Sequence, residues 1–210
     1  MIANVLFDLD GTLVDTERVF LAGNVAAAQH LGLERTQADF LPLVGAAGDV
    51  EAALIAQIVG AEHVRAFTDA TMAFVDERLD HGDSIALPGA TALLHRLRQN
   101  GRTVGVVTSS SQHHLDQVLA NTGWQQAFDC YVNLTHGRPK PAPDLYQHAL
   151  QQAALSAPQT IAVEDTPVGV QSAKAAGLRC LQVPDLAPVS AEATAHFDDL
   201  DTVGQWILAH

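Results

Sequence analysis

Short apolar runs recur along this chain, each too brief for a helix and each followed by polar residues. Asn4 to Phe7, Thr103 to Val107, Cys130 to Asn133, Thr160 to Val163 and Arg179 to Val183 are rich in β-branched or apolar residues and predict buried strands. From residue 88 onward they alternate with helical patterns over Ala90 to Gln99, Gln112 to Asn121, Asp144 to Ala153 and Val168 to Ala176. Gly101, Gly123 and Gly177 stand just past three of those helices, where a chain leaving a helix favours glycine. Strands alternating with helices predict an α/β fold, a doubly wound parallel sheet covered on both faces.

One stretch breaks this rhythm. Between the first strand and the second, Thr16 to Ser84 is helical in pattern without a convincing strand, with candidate helices over Thr16 to Leu31, Val50 to Val59 and Ala61 to Leu79. A crossover between parallel strands needs only one helix, so the excess predicts an inserted helical cap. Its hinges fall near Leu13 to Thr16 and His81 to Pro88, giving a catalytic core of residues 1–15 and 85–210 and a cap of residues 16–84.

Composition narrows the function classes. Hydrophobic residues make up 48% of the 210 positions and charged residues 17%, a globular balance, and no apolar run nears the roughly 20 residues needed to span a bilayer. The chain opens directly on the first strand with no basic leader, which predicts a soluble cytoplasmic protein. Cys130 and Cys180 have neither metal-ligand nor redox spacing and read as buried thiols. A formal net charge of -13 argues against nucleic acid or an anionic membrane as partner. An anionic small molecule would need local positive charge, from a metal or from a placed Lys or Arg.

The polar stretches after the strands carry the candidate chemistry. Asp8-Leu9-Asp10-Gly11-Thr12 follows the first strand, and alternate residues there project to one side, so two carboxylates face a common site at the sheet's carboxyl edge. One can attack as a nucleophile while the other donates a proton and later activates water. Taken alone, the segment also fits an ordinary Asp-Gly turn. Thr108-Ser109-Ser110-Ser111 offers hydroxyls and free N–H groups to a phosphate oxygen, or equally a plain helix cap. Lys140, one of only two lysines, sits between prolines in Arg138 to Asp144, a stiff setting for an ammonium that neutralises phosphate or carboxylate. An exposed loop lysine is the plainer reading. Glu164-Asp165-Thr166 ends the fourth strand, where two more acids complete a hard-cation site with the first pair or else cap the next helix.

All four stretches fall at strand ends on the edge where such sheets bind ligands. The set DLDGT, TSSS, KPAPD and EDTPVGVQSAKAAG, in this order and spacing, resembles the haloacid dehalogenase superfamily, in the branch of beta-phosphoglucomutase and many sugar-phosphate phosphatases. That resemblance implies a Rossmann-like core with a mobile helical cap and a magnesium-dependent phosphatase acting on a small phosphorylated metabolite through an aspartyl-phosphate. It implies Asp8 as nucleophile and Asp10 as general acid and base with its carbonyl on the metal. Thr108 and the backbone at Ser109 would hold the phosphoryl group, and Lys140 would steady the phosphorylated aspartate. Asp165 would ligate Mg2+, with Glu164 as a ligand directly or through water.

Within the family, Asp10 argues against a dehalogenase, and the placement of both lysines, Lys140 and Lys174, in the core argues against a Schiff-base phosphonate cleaver. The rival is a phosphosugar mutase. Mutases resembling this chain carry a phosphate-gripping arginine in the cap loop, which here reads Gly45-Ala46-Ala47-Gly48-Asp49, so phosphatase ranks first unless Arg18 or Arg35 substitutes. A phospho-acceptor receiver or binding module is the non-enzymatic alternative, and the large insertion after the first strand argues against it. The cap holds four arginines (Arg18, Arg35, Arg65, Arg78) and no lysine against eleven acids, which favours a neutral sugar or polyol as the leaving portion.

Overall fold

In the computed structural model, which describes residues 1–46, 48–82 and 84–210, six parallel strands form one sheet. They are β1 (Asn4–Phe7), β2 (Thr103–Val107), β3 (Cys130–Val132), β4 (Thr160–Glu164), β5 (Arg179–Gln182) and β6 (Ala195–His196), in the order β3-β2-β1-β4-β5-β6. The chain builds outward from β1 in one direction and then, from β4, in the other. The carboxyl ends of β1, β2 and β4 therefore meet at the place where strand order reverses, the usual crevice of a doubly wound sheet.

Both faces of the sheet are covered, and the alternation of strand side chains decides what covers them. Val5, Phe7, Val104, Val106, Ile161 and Val163 pack on one face against α5 (Ala90–Gln99), α6 (Gln112–Thr122) and α9 (Leu200–Ala209). Leu6, Val107, Ala162 and Cys180 point the other way, onto α7 (Asp144–Gln152) and α8 (Pro167–Ala175). The five predicted strands and four predicted core helices are all present within a residue or two of their expected ends. β6 and α9 were not anticipated. β6 is only two residues long, too short for an alternating pattern, and is defined by its pairing with β5.

The inserted stretch is helical: α1 (Thr16–His30), α2 (Gln37–Phe40), a 3-10 turn over Leu41–Leu43, α3 (Gly48–Val59) and α4 (Val64–His81). Among the described residues it contains no strand segment. Its own small core gathers Leu21, Phe40, Ile55, Val59 and Phe67, with Phe40 and Phe67 stacked at 5.5 Å between ring centroids. The helix α4 does double service, because Val75 and Leu79 near its end belong to the main core. The chain enters and leaves the insertion side by side. Asp15 N–H donates to Ile85 O at 2.9 Å and Leu87 N–H to Leu13 O at 2.9 Å, which holds the two predicted hinges together, apart from Asp83, which lies outside the described residues.

Gly105, in the centre of β2, is a packing requirement. A Cβ there would run into Cys130 Sγ and come within 2.8 Å of Leu6 Cδ2. Gly105→Ala is expected to lower stability by about 1–3 kcal/mol through overpacking. Adding Cys130→Ala should recover part of that loss. Urea denaturation of the three proteins checks it, and equal midpoints for wild type and Gly105→Ala would contradict the packing account.

Candidate active site

Asp8 is the first residue beyond β1, tied to its neighbour strand by Asp8 N–H donating to Val163 O at 2.9 Å. Its carboxylate is 7% exposed and lies beside those of Glu164 and Asp165, 1% and 2% exposed, with ligand oxygens of all three within 4.8 Å of one another. Three carboxylates buried this closely repel one another, and one ammonium offsets them. Lys140 Nζ is 2.5 Å from Asp8 Oδ1 and 2.7 Å from Glu164 Oε1, and donates to Val107 O at 2.9 Å. The lysine is presented as the sequence predicts, from the proline-stiffened loop after β3, and it is buried, not exposed. Its backbone N–H donates to Ser109 Oγ at 3.1 Å, and Tyr146 Oη donates to Glu164 Oε1 at 2.5 Å.

The charges confirm how crowded the site is. Burial pushes the Asp8 carboxyl up to about 8, with Lys140 opposing and Glu164 and Asp10 adding. Burial likewise raises Asp165 well above the usual carboxylate range, reinforced by Asp8 and Glu164. Lys140 is driven the other way: burial favours its neutral form, but Asp8 and Glu164 outweigh it and keep the ammonium charged. Oxygen donors alone, clustered with insufficient positive charge, are the chemistry of a hard divalent cation such as magnesium, and the residues fit one. Gly11 makes room for the cluster at a positive φ of 79, since a side chain there would strike the Asp165 carboxylate.

Asp10 is placed apart from this cluster. Its Oδ1 accepts from Thr16 Oγ1 and His114 Nε2, both at 2.7 Å, and its Oδ2 from Ser110 Oγ at 2.7 Å and Thr108 Oγ1 at 3.1 Å. Burial would raise its pKa, but the His114 charge and the hydrogen bonds from His114, Thr16 and Ser110 prevail and hold it well below the usual carboxylate range. Ser111, next along, is the helix cap of α6, accepting from His114 N–H at 3.2 Å. Within the stretch 108–111, Ser111 thus serves as the helix cap, while the hydroxyls of Thr108 and Ser110 are engaged with Asp10. After β4, it is Thr166 and not the acids that caps α8, accepting from Gly169 N–H at 3.1 Å.

Above these residues is a cavity of about 250 Å³ between sheet edge and cap. The sheet side supplies Asp8, Asp10, Thr108, Ser109, Lys140, Glu164 and Asp165, so every predicted site residue faces one space. The cap side supplies Phe20, Asn24, Phe40, Phe67, Thr71 and Met72 together with Glu17 and Glu51. Burial lifts Glu17 to about 7, with Asp10 and Glu51 adding to the effect. Lys140 is the sole cationic side chain in the lining formed by the described residues. Arg18 is paired with Asp15 and Asp185, Arg35 donates to Ile58 O and Glu34 O, and neither is among the residues lining this cavity. In the loop from Gly45 to Asp49, Gly45 and Ala46 line the cavity and Ala47 lies outside the described residues. His114 and Thr16 were missed from sequence, their only hint being a place in the first turn of a helix, while Ser110, part of the hydroxyl stretch, was read toward a phosphate and is bonded here to Asp10.

Comparison with known proteins agrees with this geometry. Residues 5–183 match the family model described as haloacid dehalogenase-like hydrolase. An uncharacterised protein of Lacticaseibacillus casei is 44% identical over 187 residues, 89% of this chain and 86% of that protein. Validoxylamine A 7'-phosphate phosphatase of Streptomyces hygroscopicus subsp. limoneus is 28% identical over 208 residues, 94% of each. Among solved structures, a predicted phosphoglycolate phosphatase from Haemophilus somnus superposes with a TM-score of 0.87 at 19% identity, covering 98% of this chain and 97% of that one, a likeness of fold. With its acidic cluster, its buried lysine and its inserted helical cap, the chain belongs to the haloacid dehalogenase-like hydrolases.

Proposed function

We propose that this protein is a magnesium-dependent phosphatase of a small phosphorylated metabolite, a sugar or polyol phosphate, working through a phosphorylated Asp8. The observation that carries the reading is Lys140 bonded to Asp8 and Glu164 at once, at the floor of a cavity otherwise lined by acids and neutral groups. Residues 1–15 and 85–210 would form the catalytic core and residues 16–84 the cap. Two buried free thiols suit the reducing cytoplasm. The relative named for a phosphatase of validoxylamine A 7'-phosphate supports a phosphate monoester as substrate class.

In this reading an Asp8 oxygen attacks phosphorus and the bond to the leaving-group oxygen breaks, while Asp10 supplies that oxygen with a proton. Water then attacks the phosphoryl phosphorus, gives its proton to Asp10, and frees Asp8 and inorganic phosphate. Lys140 offsets the charge gathered on Asp8, and Thr108 with the Ser109 backbone holds the phosphoryl oxygens. Asp8, Asp165, Glu164 and the Asp10 carbonyl would hold Mg2+, which supplies the positive charge that draws in the phosphate. The cap's apolar wall excludes water during transfer, and its want of cations disfavours a second phosphate on the substrate.

A panel of phosphorylated metabolites, assayed with magnesium for released phosphate, tests this. Asp8→Asn should lower turnover by on the order of a thousandfold or more while leaving thermal unfolding unchanged, because the amide keeps the shape but cannot act as nucleophile. Near-normal turnover by folded Asp8→Asn, or positional isomers of a hexose phosphate forming faster than phosphate is released, would sink the reading.

The same acids predict how stability depends on pH. In the metal-free fold Asp8 titrates near 8 against 3.8 for an unperturbed carboxyl, and Glu17 near 7 against 4.5. Between those values the folded chain binds protons that the unfolded chain has released, so stability is greatest at the acid end and is lost as pH rises through about 8. Asp10, depressed, acts with opposite sign but only at pH values below this window. The melting temperature of metal-free protein should fall between pH 5.5 and 8, and magnesium should raise it more at pH 8 than at pH 5.5. A flat or rising profile would contradict the assignment of Asp8.

A further inference from the structure

His114 stands in the first turn of α6, 3% exposed, in a place that its own hydrogen bonding does not explain. Its Nε2–H donates to Asp10 Oδ1 at 2.7 Å, while its Nδ1 is buried without a hydrogen-bond partner among the described residues. An unsatisfied buried nitrogen costs stability, so its retention calls for a reason. The ring is held from the sides. Phe20 of α1 packs on it at 5.7 Å between centroids, tilted by 45°, and the Ser111 cap fixes the backbone beneath it. Across the cap boundary, α4 brings Asp76 near enough for its charge to act on the ring. Asp76 Oδ1 is likewise buried without a hydrogen bond among the described residues, and His113 Nε2 lies 3.5 Å from it as an ion-pair neighbour. Two further contacts bind the same pair of helices: Gln117 Nε2 donates to Asp80 Oδ1 at 3.1 Å and Asn121 Nδ2 to Leu79 O at 2.9 Å.

We propose that His114 is the positioning residue of Asp10: wedged between Phe20 and α4, it fixes the carboxylate so that one oxygen faces the leaving group, and it does so only while α4 is seated on α6. Thr16, Thr108 and Ser110 supply the other donors, but each is a hydroxyl that can rotate to accept instead, whereas an imidazole N–H facing a carboxylate can only donate. His114 touches neither substrate nor the reacting atoms. It acts through Asp10, and it links the acid of the core to the docking of the cap helix. This rests on the reading of Asp10 as the general acid and base.

The test uses full-length protein with magnesium and p-nitrophenyl phosphate, whose leaving group needs no proton, so the first turnover is insensitive to Asp10 as an acid whereas hydrolysis of the phosphoenzyme still needs Asp10 as a base. His114→Leu is expected to lower steady-state kcat by about tenfold or more, with kcat/KM and the first-turnover rate of nitrophenolate release within about twofold of wild type. His114→Gln, which keeps a donor at similar reach, should regain most of the loss. Should His114→Leu fail to fold, His114→Asn, whose amide is too short to reach Asp10, takes its place. A His114→Leu kcat within twofold of wild type, equal impairment of the Leu and Gln variants, or a first turnover slowed as much as the steady state would overturn the proposal. Asp10→Asn separates the two levels. If it retains turnover, the reading of Asp10 fails. If it is inactive while folded His114→Leu is not slowed, the positioning role alone fails.

Discussion

The ammonium of Lys140 is the constraint on which the rest of the site depends. It is 6% exposed and meets Asp8, Glu164 and the Val107 carbonyl at once, so its position is over-determined by β1, β2 and β4 together. A buried cation without partners would be costly, and buried carboxylates without a cation more so. Each therefore holds the other in place. Removing the lysine would leave Asp8 and Glu164 as uncompensated charges in the protein interior, and the sheet edge has no second ammonium or guanidinium among the described cavity residues to replace it. The pairing is also incomplete: one cation faces three clustered acids, and burial, reinforced by the neighbouring acids, raises the pKa values of Asp8 and Asp165. A site short of positive charge is suited to draw in a divalent cation.

Sheet topology explains why this arrangement arises from four sequence-distant stretches. Because β1 lies between β2 and β4, residues after three different strands come within hydrogen-bond reach without any long excursion of the backbone. Small residues keep the approach close. A side chain at Gly11 would collide with Asp165 and one at Gly169 with Glu164, so the glycines of the first and fourth motifs are there for the carboxylates they face.

Those motifs were legible because most of their chemistry-bearing residues stand at the end of a strand with a strong apolar pattern, and strand ends are places that sequence locates well. Asp8, Asp10, Thr108, Glu164 and Asp165 belong to this kind, whereas Lys140 lies further on, in the loop after β3, and was marked by its flanking prolines; all line one cavity. What was not legible depends on neighbours far away in sequence. His114 reads as an ordinary first-turn residue beside His113, and only the packing of α6 on α4 and Phe20 turns one of the two imidazoles toward Asp10. The strand β6 has two residues and is defined by its pairing with β5, which no local pattern announces. The helix α9 did leave a signal, an Asp199 cap accepting from Thr202 N–H ahead of Leu200, Val203 and Ile207 at helical spacing, but the loop before it obscured where the sheet ended.

Asp8 and Asp10, two residues apart, show how environment assigns different work to identical side chains. Asp8 faces other carboxylates with one shared ammonium and is pushed up; Asp10 faces four donors and is pushed down. Separating the titrations of a paired set in this way is how a site obtains different roles from one residue type. In the arrangement described here four donors favour the ionised form of Asp10, so the acid role proposed for it would require both a proton and a loosening of those donors. Two of them come from elements tied to the cap: Thr16 opens α1, and His114 leans on α1 and α4. The hydrogen bonding of Asp10 is thus shared between the sheet edge and the inserted helices, through side chains in direct contact.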